Sequence, residues 1–189
     1  MKKAFLILSL VFPILFIACN DDEPEVDISA DLHYDSVNFA APELDPGTHS
    51  AGVFFPASSM QTYSGKNLEE IVFFLDDLPS SCIVQVYRNG TGNIPGQSLY
   101  SIDITTNLAS NSWNFHTLET PVPLTGEDLW ICLQVTHGSI IGTVGCDPGP
   151  ATTNGDWILS SPENEWITLR EKTADEVNIN WNIRARISE

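Results

Sequence analysis

Basic residues are scarce in this chain, which has 8 Lys and Arg against 25 Asp and Glu and a formal net charge of −17. Proteins that bind nucleic acid or anionic lipid present clustered Lys and Arg side chains, so the composition argues against both kinds of partner. A large carboxylate excess keeps a secreted protein soluble, and it also suits calcium, which binds oxygen ligands. We therefore expect no nucleic-acid partner, and calcium is the one cofactor that the composition leaves open.

The sequence also lacks the short motifs of common enzyme classes. It contains no G-x-S-x-G elbow, P-loop, dinucleotide fingerprint or EF-hand loop, and its 4 His residues show no H-x-x-x-H or H-x-H spacing. The nucleophile–base pair to consider is Cys146 with His137. Asp147 is adjacent to that Cys, however, and no Lys or Arg lies near it in sequence to stabilise a thiolate. These absences predict a protein that is not an enzyme.

The one long apolar run is shorter than the roughly 20 residues that span a bilayer. It covers residues 4–18, broken only by Ser9 and Pro13, and it lies between a short cationic start and Cys19. These are the parts of a signal peptide over residues 1–18. The stretch that ends in Ala18-Cys19 resembles the lipobox of a bacterial lipoprotein, which implies lipidation of Cys19, as by palmitate. An ordinary signal peptide or a membrane anchor is the alternative.

The residues after Cys19 are strongly acidic. Residues 20–27 contain five carboxylates and no cation. Such a segment repels itself and buries nothing, so we predict a disordered tether over residues 19–36. An acidic stretch behind a lipidated Cys resembles the surface-export signal of lipoproteins in gram-negative anaerobes of gut and mouth. It implies an outer-membrane protein that faces outward, with a periplasmic orientation as the alternative. Ser36, between Asp35 and Val37, resembles the O-glycan attachment site of these bacteria.

Residues 37–189 are expected to form β-structure and have the size of one domain. The run 83–87 is rich in β-branched and aromatic residues, and residues 99–104 alternate apolar with polar side chains. Residues 180–187 alternate as well, which places their apolar side chains on one buried face. We predict an all-β fold, a single jelly-roll-like antiparallel β-sandwich, with one short helical turn at residues 58–63. We expect a monomer.

Three cysteines remain when Cys19 is assigned to the lipid, namely Cys82, Cys132 and Cys146. An odd number allows at most one disulfide within the chain, and an oxidising envelope permits it. Cys132 lies in an apolar run and Cys146 follows after one loop, which favours a bridge between them. Three buried thiols are the alternative, since free Cys is among the most buried residue types.

Residues 137–156 form the most unusual segment, because Gly and Pro are dense and large apolar residues are few. We predict that this loop end, and not a sheet face, carries the functional surface, with Asp147 and Asp156 presenting oxygens to a ligand or to calcium. A stiff crossover between sheets is the alternative. Trp157 and Trp166 lie near loop-rich ends, so they are candidates for a platform that stacks on sugar rings. Burial in the core is the alternative for both.

Several short phrases occur in an order that is found in a known group of modules. They are Phe54-Phe55-Pro56-Ala57, Tyr63-Ser64-Gly65-Lys66-Asn67-Leu68, Ile71-Val72-Phe73-Phe74, Trp113-Asn114, Thr120-Pro121-Val122, Asp128-Leu129-Trp130-Ile131, Gly145-Cys146-Asp147-Pro148-Gly149-Pro150-Ala151, Gly155-Asp156-Trp157-Ile158 and Asn180-Trp181-Asn182-Ile183-Arg184-Ala185. Over residues 38–187 they resemble the adhesin/haemagglutinin-type (cleaved-adhesin-like) β-sandwich domains of gingipain-related secreted proteins. The resemblance implies a jelly-roll fold and a non-catalytic adhesion or binding role, and it transfers no ligand. Cys132 stands where the usual pattern has Gly.

The sequence therefore predicts a non-catalytic cell-surface lipoprotein that acts as an adhesion or binding module for an extracellular protein or glycan. The first alternative is a glycan-binding accessory protein of a nutrient-uptake system. The second is an envelope enzyme or inhibitor. A row of exposed Trp and Tyr on a sheet face favours a glycan ligand, whereas a flat, loop-built patch with an apolar centre favours a protein partner.

Overall fold

Strands dominate the structure, with 48% of the described residues in strands and 9% in helices. The structure is a computed structural model that describes residues 26–92, 94–160, 162 and 165–188. Its antiparallel sheets pack against each other, so the predicted all-β, jelly-roll-like sandwich is confirmed. The predicted signal peptide, Cys19 and the first part of the acidic tether lie outside the described residues. Within those described ranges, no helix combines the length and apolarity needed to cross a bilayer.

The strands form a six-stranded sheet in the order β10-β9-β2-β7-β4-β5, a three-stranded sheet in the order β11-β3-β6, and a small β1-β8 pair. The helical turn predicted at residues 58–63 is present as α1 and the 3-10 turn that follows it. In chain order the elements are β1 (Glu43–Leu44), β2 (Gly47–Phe55), α1 (Ala57–Met60), a 3-10 turn (Gln61–Tyr63), β3 (Asn67–Leu75), β4 (Ser81–Asn89), β5 (Pro95–Asp103), a 3-10 turn (Thr105–Asn107), β6 (Ser112–Pro123), β7 (Leu129–His137), β8 (Ile141–Gly142), β9 (Trp157–Leu159), β10 (Trp166–Thr168), α2 (Leu169–Lys172) and β11 (Ile183–Ile187).

The main core lies between the two larger sheets, because each strand turns alternate side chains inward. In β7, Leu129, Ile131 and Leu133 join this core, and each such buried side chain contributes roughly 1.5–3 kcal/mol. Trp130 and Cys132 alternate with them and are also buried, but they belong to a separate apolar cluster. The outer face of the six-stranded sheet therefore carries an apolar layer of its own.

The C-terminal strand shows the alternation that its sequence predicts. Trp181, Ile183 and Ala185 are at most 1% exposed and lie in the main core. β11 is nevertheless an edge strand of its sheet. Its outer edge is covered by the N-terminal segment, since the backbone N–H groups of Asp31 and Leu32 donate to the Ala185 carbonyl.

The N-terminal segment 27–36 is docked on β11. Asp27 lies 3.7 Å from the Arg186 guanidinium. The Asp31 carboxylate accepts the backbone N–H of Ile187, and Asp35 is 4% exposed. The prediction of a tether that extends to residue 36 is therefore wrong, because each carboxylate of this stretch meets a partner on the C-terminal strand. Ser36, the predicted glycosylation site, lies at the surface of the docked segment.

Candidate functional site

Asp147, one of the two predicted ligand carboxylates, is 3% exposed and fully engaged in hydrogen bonds within the protein. Its oxygens accept the backbone N–H groups of Ser36, Gly149 and Asn180, at 3.2, 2.9 and 2.7 Å, and also the Asn180 side-chain amide. Such a carboxylate joins the N-terminal segment to the loop before β11. The geometry does not support its predicted role in presenting oxygens to a ligand.

Asp156, the second predicted carboxylate, is completely buried. It binds Arg170, whose Nε lies 2.9 Å from Oδ2 and whose Nη2 lies 3.3 Å from Oδ1. Burial raises the pKa of Asp156 although the bonds from Arg170 act in the opposite direction. Both oxygens are thus occupied by a buried ion pair. Among the described residues, no group of three or more His, Cys, Asp and Glu is arranged to hold a metal ion.

The loop end at residues 137–156 is for the most part a packed crossover and not an open surface. Residues 142–147 are all buried, and Cys146 pairs with Ala40 of the N-terminal segment. A Cβ at Gly142 would lie 2.5 Å from a backbone oxygen, and one at Gly145 would lie 2.6 Å from the Asn38 side chain. Gly142 and Gly145 thus serve close chain packing, so the structure favours the crossover interpretation.

The predicted Cys132–Cys146 disulfide is not formed, and Cys82, Cys132 and Cys146 are buried free thiols. Cys132 packs on the outer face of the six-stranded sheet, whereas Cys146 belongs to the core between the sheets. The sheet itself separates the two sulfur atoms, which have to lie about 2 Å apart in a disulfide. Bridge formation therefore requires the sheet to open.

The thiol of Cys146 is not prepared for nucleophilic attack. Burial, and secondarily the charge of Asp147, raises its pKa to about 12, so it stays protonated at neutral pH. His137, its predicted partner as a base, binds the Ser139 carbonyl through Nδ1 and stacks on His49 with the ring centroids 5.1 Å apart. Neither group shows the geometry of a Cys–His catalytic pair.

We expect the native full-length protein to resist alkylation by iodoacetamide at Cys82, Cys132 and Cys146 near pH 8, because burial raises the pKa of all three thiols. In denaturant without reductant all three should react, as measured by peptide mass spectrometry. A Cys132–Cys146 peptide pair that stays unlabelled until reductant is added would contradict the free-thiol assignment.

The same thiols give a direction for the pH dependence of stability. The folded pKa of Cys82 is about 12 against an ordinary value of 9.0, so the folded state holds its proton more tightly than the unfolded state. The free energy of unfolding should therefore decrease as the pH rises from 9 toward 12. A Cys82→Ala variant should show a weaker decrease over this range in urea denaturation.

The outer face of the six-stranded sheet carries the second apolar cluster, which we call the aromatic face. Tyr87 of β4 and Phe54 of β2 flank Trp130 of β7 in one row across the sheet. The ring centroid of Trp130 lies 4.9 Å from that of Phe54, 5.3 Å from that of Trp157 and 5.5 Å from that of Trp166. The Phe54 and Trp166 rings are tilted and the Trp157 ring is edge-on, and aromatic pairs prefer such inclined arrangements to a face-to-face sandwich. The cluster consists of Phe54, Tyr87, Trp130, Cys132, Trp157 and Trp166.

The Trp166 ring packs directly against the backbone of Gly52. A Cβ at residue 52 would be 3.0 Å from the Trp166 ring and 3.2 Å from the sulfur of Cys132. A side chain at this position would therefore push against the Trp166 ring, and glycine leaves room for the ring to pack beside Trp130. The close packing of the aromatic face depends on this missing side chain in the middle of β2.

The aromatic face has a buried floor and a partly exposed upper layer. Phe54 and Trp130 are 6% and 0% exposed, whereas Tyr87, Trp157 and Trp166 each keep part of their rings in contact with solvent. The Trp157 Nε1 is buried and finds no hydrogen-bond partner in the part of the chain that the structure describes. Aromatic rings that remain open on a sheet face are a candidate ligand platform.

The sequence identified two members of this platform and missed the others. Trp157 and Trp166, the candidates for an aromatic platform, both pack against Trp130. The place of Trp130 in the alternation of β7, between the inward-facing Leu129 and Ile131, indicates the outer face of the sheet. Tyr87, Trp157 and Trp166 thus gather on a sheet face, whereas the sequence favours the loop end at residues 137–156.

No protein-family model matches the chain, and no curated protein or solved structure matches it either.

Proposed function

We propose that this protein is a non-catalytic binding module that holds a neutral glycan on the aromatic face and is displayed on the outer membrane through a lipid on Cys19. The observation that carries the proposal is the layer of Tyr87, Trp157 and Trp166, partly exposed on a floor that contains Trp130. Each of these rings offers an apolar face with a polar edge to one face of a sugar ring. This role keeps the non-catalytic binding function that the sequence predicts, with the ligand class of its first alternative, the glycan-binding accessory protein.

The charge of the chain favours an uncharged ligand. Without residues 1–18, the 8 basic residues fall by 2 to 6 against 25 acidic ones, so the formal charge becomes −19. Such a surface repels sulfated or uronic-acid glycans and attracts no anionic lipid. Stacking on the rings of a neutral glycan depends little on the net charge of the protein. A basic protein partner is the competing possibility, and the binding experiment distinguishes it.

The remaining parts of the proposal rest on the sequence. The lipobox that ends in Cys19 and the acidic residues 20–27 support an outward-facing outer-membrane lipoprotein. The resemblance to adhesin/haemagglutinin-type modules supports a binding role and not catalysis. Both agree with a ligand platform that belongs to the sheet and not to the anchored N-terminal segment.

We expect Trp166→Ala and Trp157→Ala, made in the full-length protein, to weaken binding to neutral glycans on an array by at least about tenfold, or about 1.4 kcal/mol. Each substitution removes one ring of the exposed layer, so the ligand loses its stacking partner. Binding is measured by titration with the best glycan from the array, alongside the urea midpoint of each variant.

Trp113→Ala is the matched control, because Trp113 is a partly exposed Trp on the outer face of the three-stranded sheet, beneath Arg184. It should leave glycan affinity unchanged. If both platform variants are folded and bind like the wild type, the aromatic face is not the binding surface. If the array shows no glycan binding while a basic matrix protein binds, the module is a protein adhesin.

A further inference from the structure

A polar cavity adjoins the aromatic face at the end of the six-stranded sheet. It has a volume of about 400 Å³ and is lined by the end of β4, the turn before β7 and the α1 region, with the residues Ala57, Gln61, Arg88, Asn89, Gly126, Glu127 and Asp128. Asn89 follows Tyr87 by two residues, and Asp128 precedes Trp130 by two. Positions two apart on a strand face the same side about 7 Å from each other, so Asn89 lies on the same side of β4 as Tyr87. Asp128 lies just before β7 begins and is hydrogen-bonded to Asn89, so the cavity adjoins the aromatic face.

The floor of the cavity is hydrogen-bonded to the aromatic face. The Asn89 Oδ1 accepts the indole N–H of Trp130 at 3.1 Å, and its Nδ2 donates to Asp128 at 3.2 Å. The other Asp128 oxygen accepts the backbone N–H of Ala57 at 2.6 Å. This chain of bonds fixes the position of the cavity relative to the rings beside it.

The walls of the cavity carry polar side chains that reach solvent. Gln61 is exposed and donates to the Gly126 carbonyl at 3.0 Å. Arg88 and Glu127 form an ion pair at the rim, with side chains 34% and 65% exposed. Together with Asp128, the lining holds one cationic and two anionic side chains, which disfavours an anionic ligand. These groups and the Gln61 amide suit a ligand without charge that both donates and accepts hydrogen bonds. Sugar hydroxyl groups do both.

We infer that this cavity is a second subsite for the same ligand and takes the sugar residue next to the one that stacks on the aromatic face. The inference rests on the proposed glycan-binding function. Its volume lies within the range of about 300–1,000 Å³ that small-molecule sites have. The ligand is then a neutral oligosaccharide. One of its sugar residues stacks on the aromatic rings, and the adjacent sugar residue binds the hydrogen-bonding groups of the cavity.

The inference predicts how affinity depends on the length of the glycan. The probes are glucose, mannose and galactose and their neutral homo-oligomers of increasing length, titrated into the full-length protein. In the wild type, the second sugar residue should raise affinity by about tenfold. The double variant Gln61→Ala/Glu127→Ala should lose this gain, because the side chains that meet the second residue are gone. Glu176→Ala removes an equally exposed carboxylate far from the cavity in sequence and should keep the gain.

The possible results distinguish a failure of the second-subsite inference from a failure of the proposed glycan-binding function. If Trp166→Ala weakens binding of every probe while Gln61→Ala/Glu127→Ala keeps the gain with length, the cavity is not a subsite and the proposed function stands. If the Trp variant binds every probe like the wild type, or no probe binds, the proposed function fails and the inference fails with it. If Gln61→Ala/Glu127→Ala loses the gain in affinity with glycan length while Glu176→Ala keeps it, and Trp166→Ala weakens binding of every probe, both the inference and the proposed function are supported.

Discussion

Replacing Asp35 by Ala should lower the free energy of unfolding by about 3–5 kcal/mol, because Arg184 then keeps a buried charge without its counter-ion. The two side chains are 0% and 8% exposed and lie 2.8 Å apart. The substitution also removes the acceptor of the Asn182 side-chain amide, at 2.6 Å. Urea denaturation of the full-length protein measures the effect as a shift of the midpoint at constant slope.

Asp27→Ala is the control for this prediction, since its carboxylate is 75% exposed and 3.7 Å from Arg186. It should leave the midpoint unchanged because surface ion pairs contribute little. The double variant Asp35→Ala/Arg184→Met removes both charges and should recover part of the loss. An Asp35→Ala midpoint equal to that of the wild type would mean that the N-terminal segment is not docked in solution.

Replacing Trp181 by Ala should cost about 3–5 kcal/mol. Trp181 is 1% exposed, and its Nε1 donates to the Trp157 carbonyl at 2.9 Å. Truncation leaves a cavity between the sheets and removes a hydrogen bond to the backbone at the start of β9. Because the whole stability of a domain is about 5–15 kcal/mol, much of the protein should be unfolded at moderate urea concentrations.

Trp113→Ala again serves as the comparison, because that Trp is partly exposed on an outer sheet face. The urea midpoint of Trp113→Ala should fall by less than half of the decrease that Trp181→Ala causes. Equal midpoints for the two Trp variants would show that burial does not separate these positions, and that the C-terminal alternation does not mark the core.

The fold was predictable because its evidence is local. Period-2 alternation at residues 99–104 and 180–187 and turn residues between the apolar runs suffice for an all-β sandwich. The position of β11 at a sheet edge was not predictable, since strand order depends on pairing across the whole chain. The docking of residues 27–36 was missed for a related reason. The acidic composition predicts a solvated tether, and no local pattern shows that Asp35 pairs with Arg184, which is distant in sequence.

The sequence could indicate some residues of the candidate site, but it could not predict where in the fold they lie. Trp157 and Trp166 stand out because they lie near loop-rich ends of the sequence. Their meeting with Phe54, Tyr87 and Trp130 depends on the register of five strands, which no short pattern encodes. Asp147 and Asp156 stand out equally as loop carboxylates, yet they are buried, because a loop that other chain segments cover has to satisfy its own backbone groups.

The docking of residues 27–36 also determines how a mechanical load enters the molecule. In a protein held by a lipid at Cys19, as we propose, a pull on the ligand reaches the membrane through this segment. The load meets the contacts on β11 first, whereas the platform belongs to the other large sheet, whose strand β2 begins at Gly47. Peeling the ten residues from 27 to 36 away would release roughly 30 Å of chain. The segment thus provides extension under tension before the sheet that holds the ligand is strained.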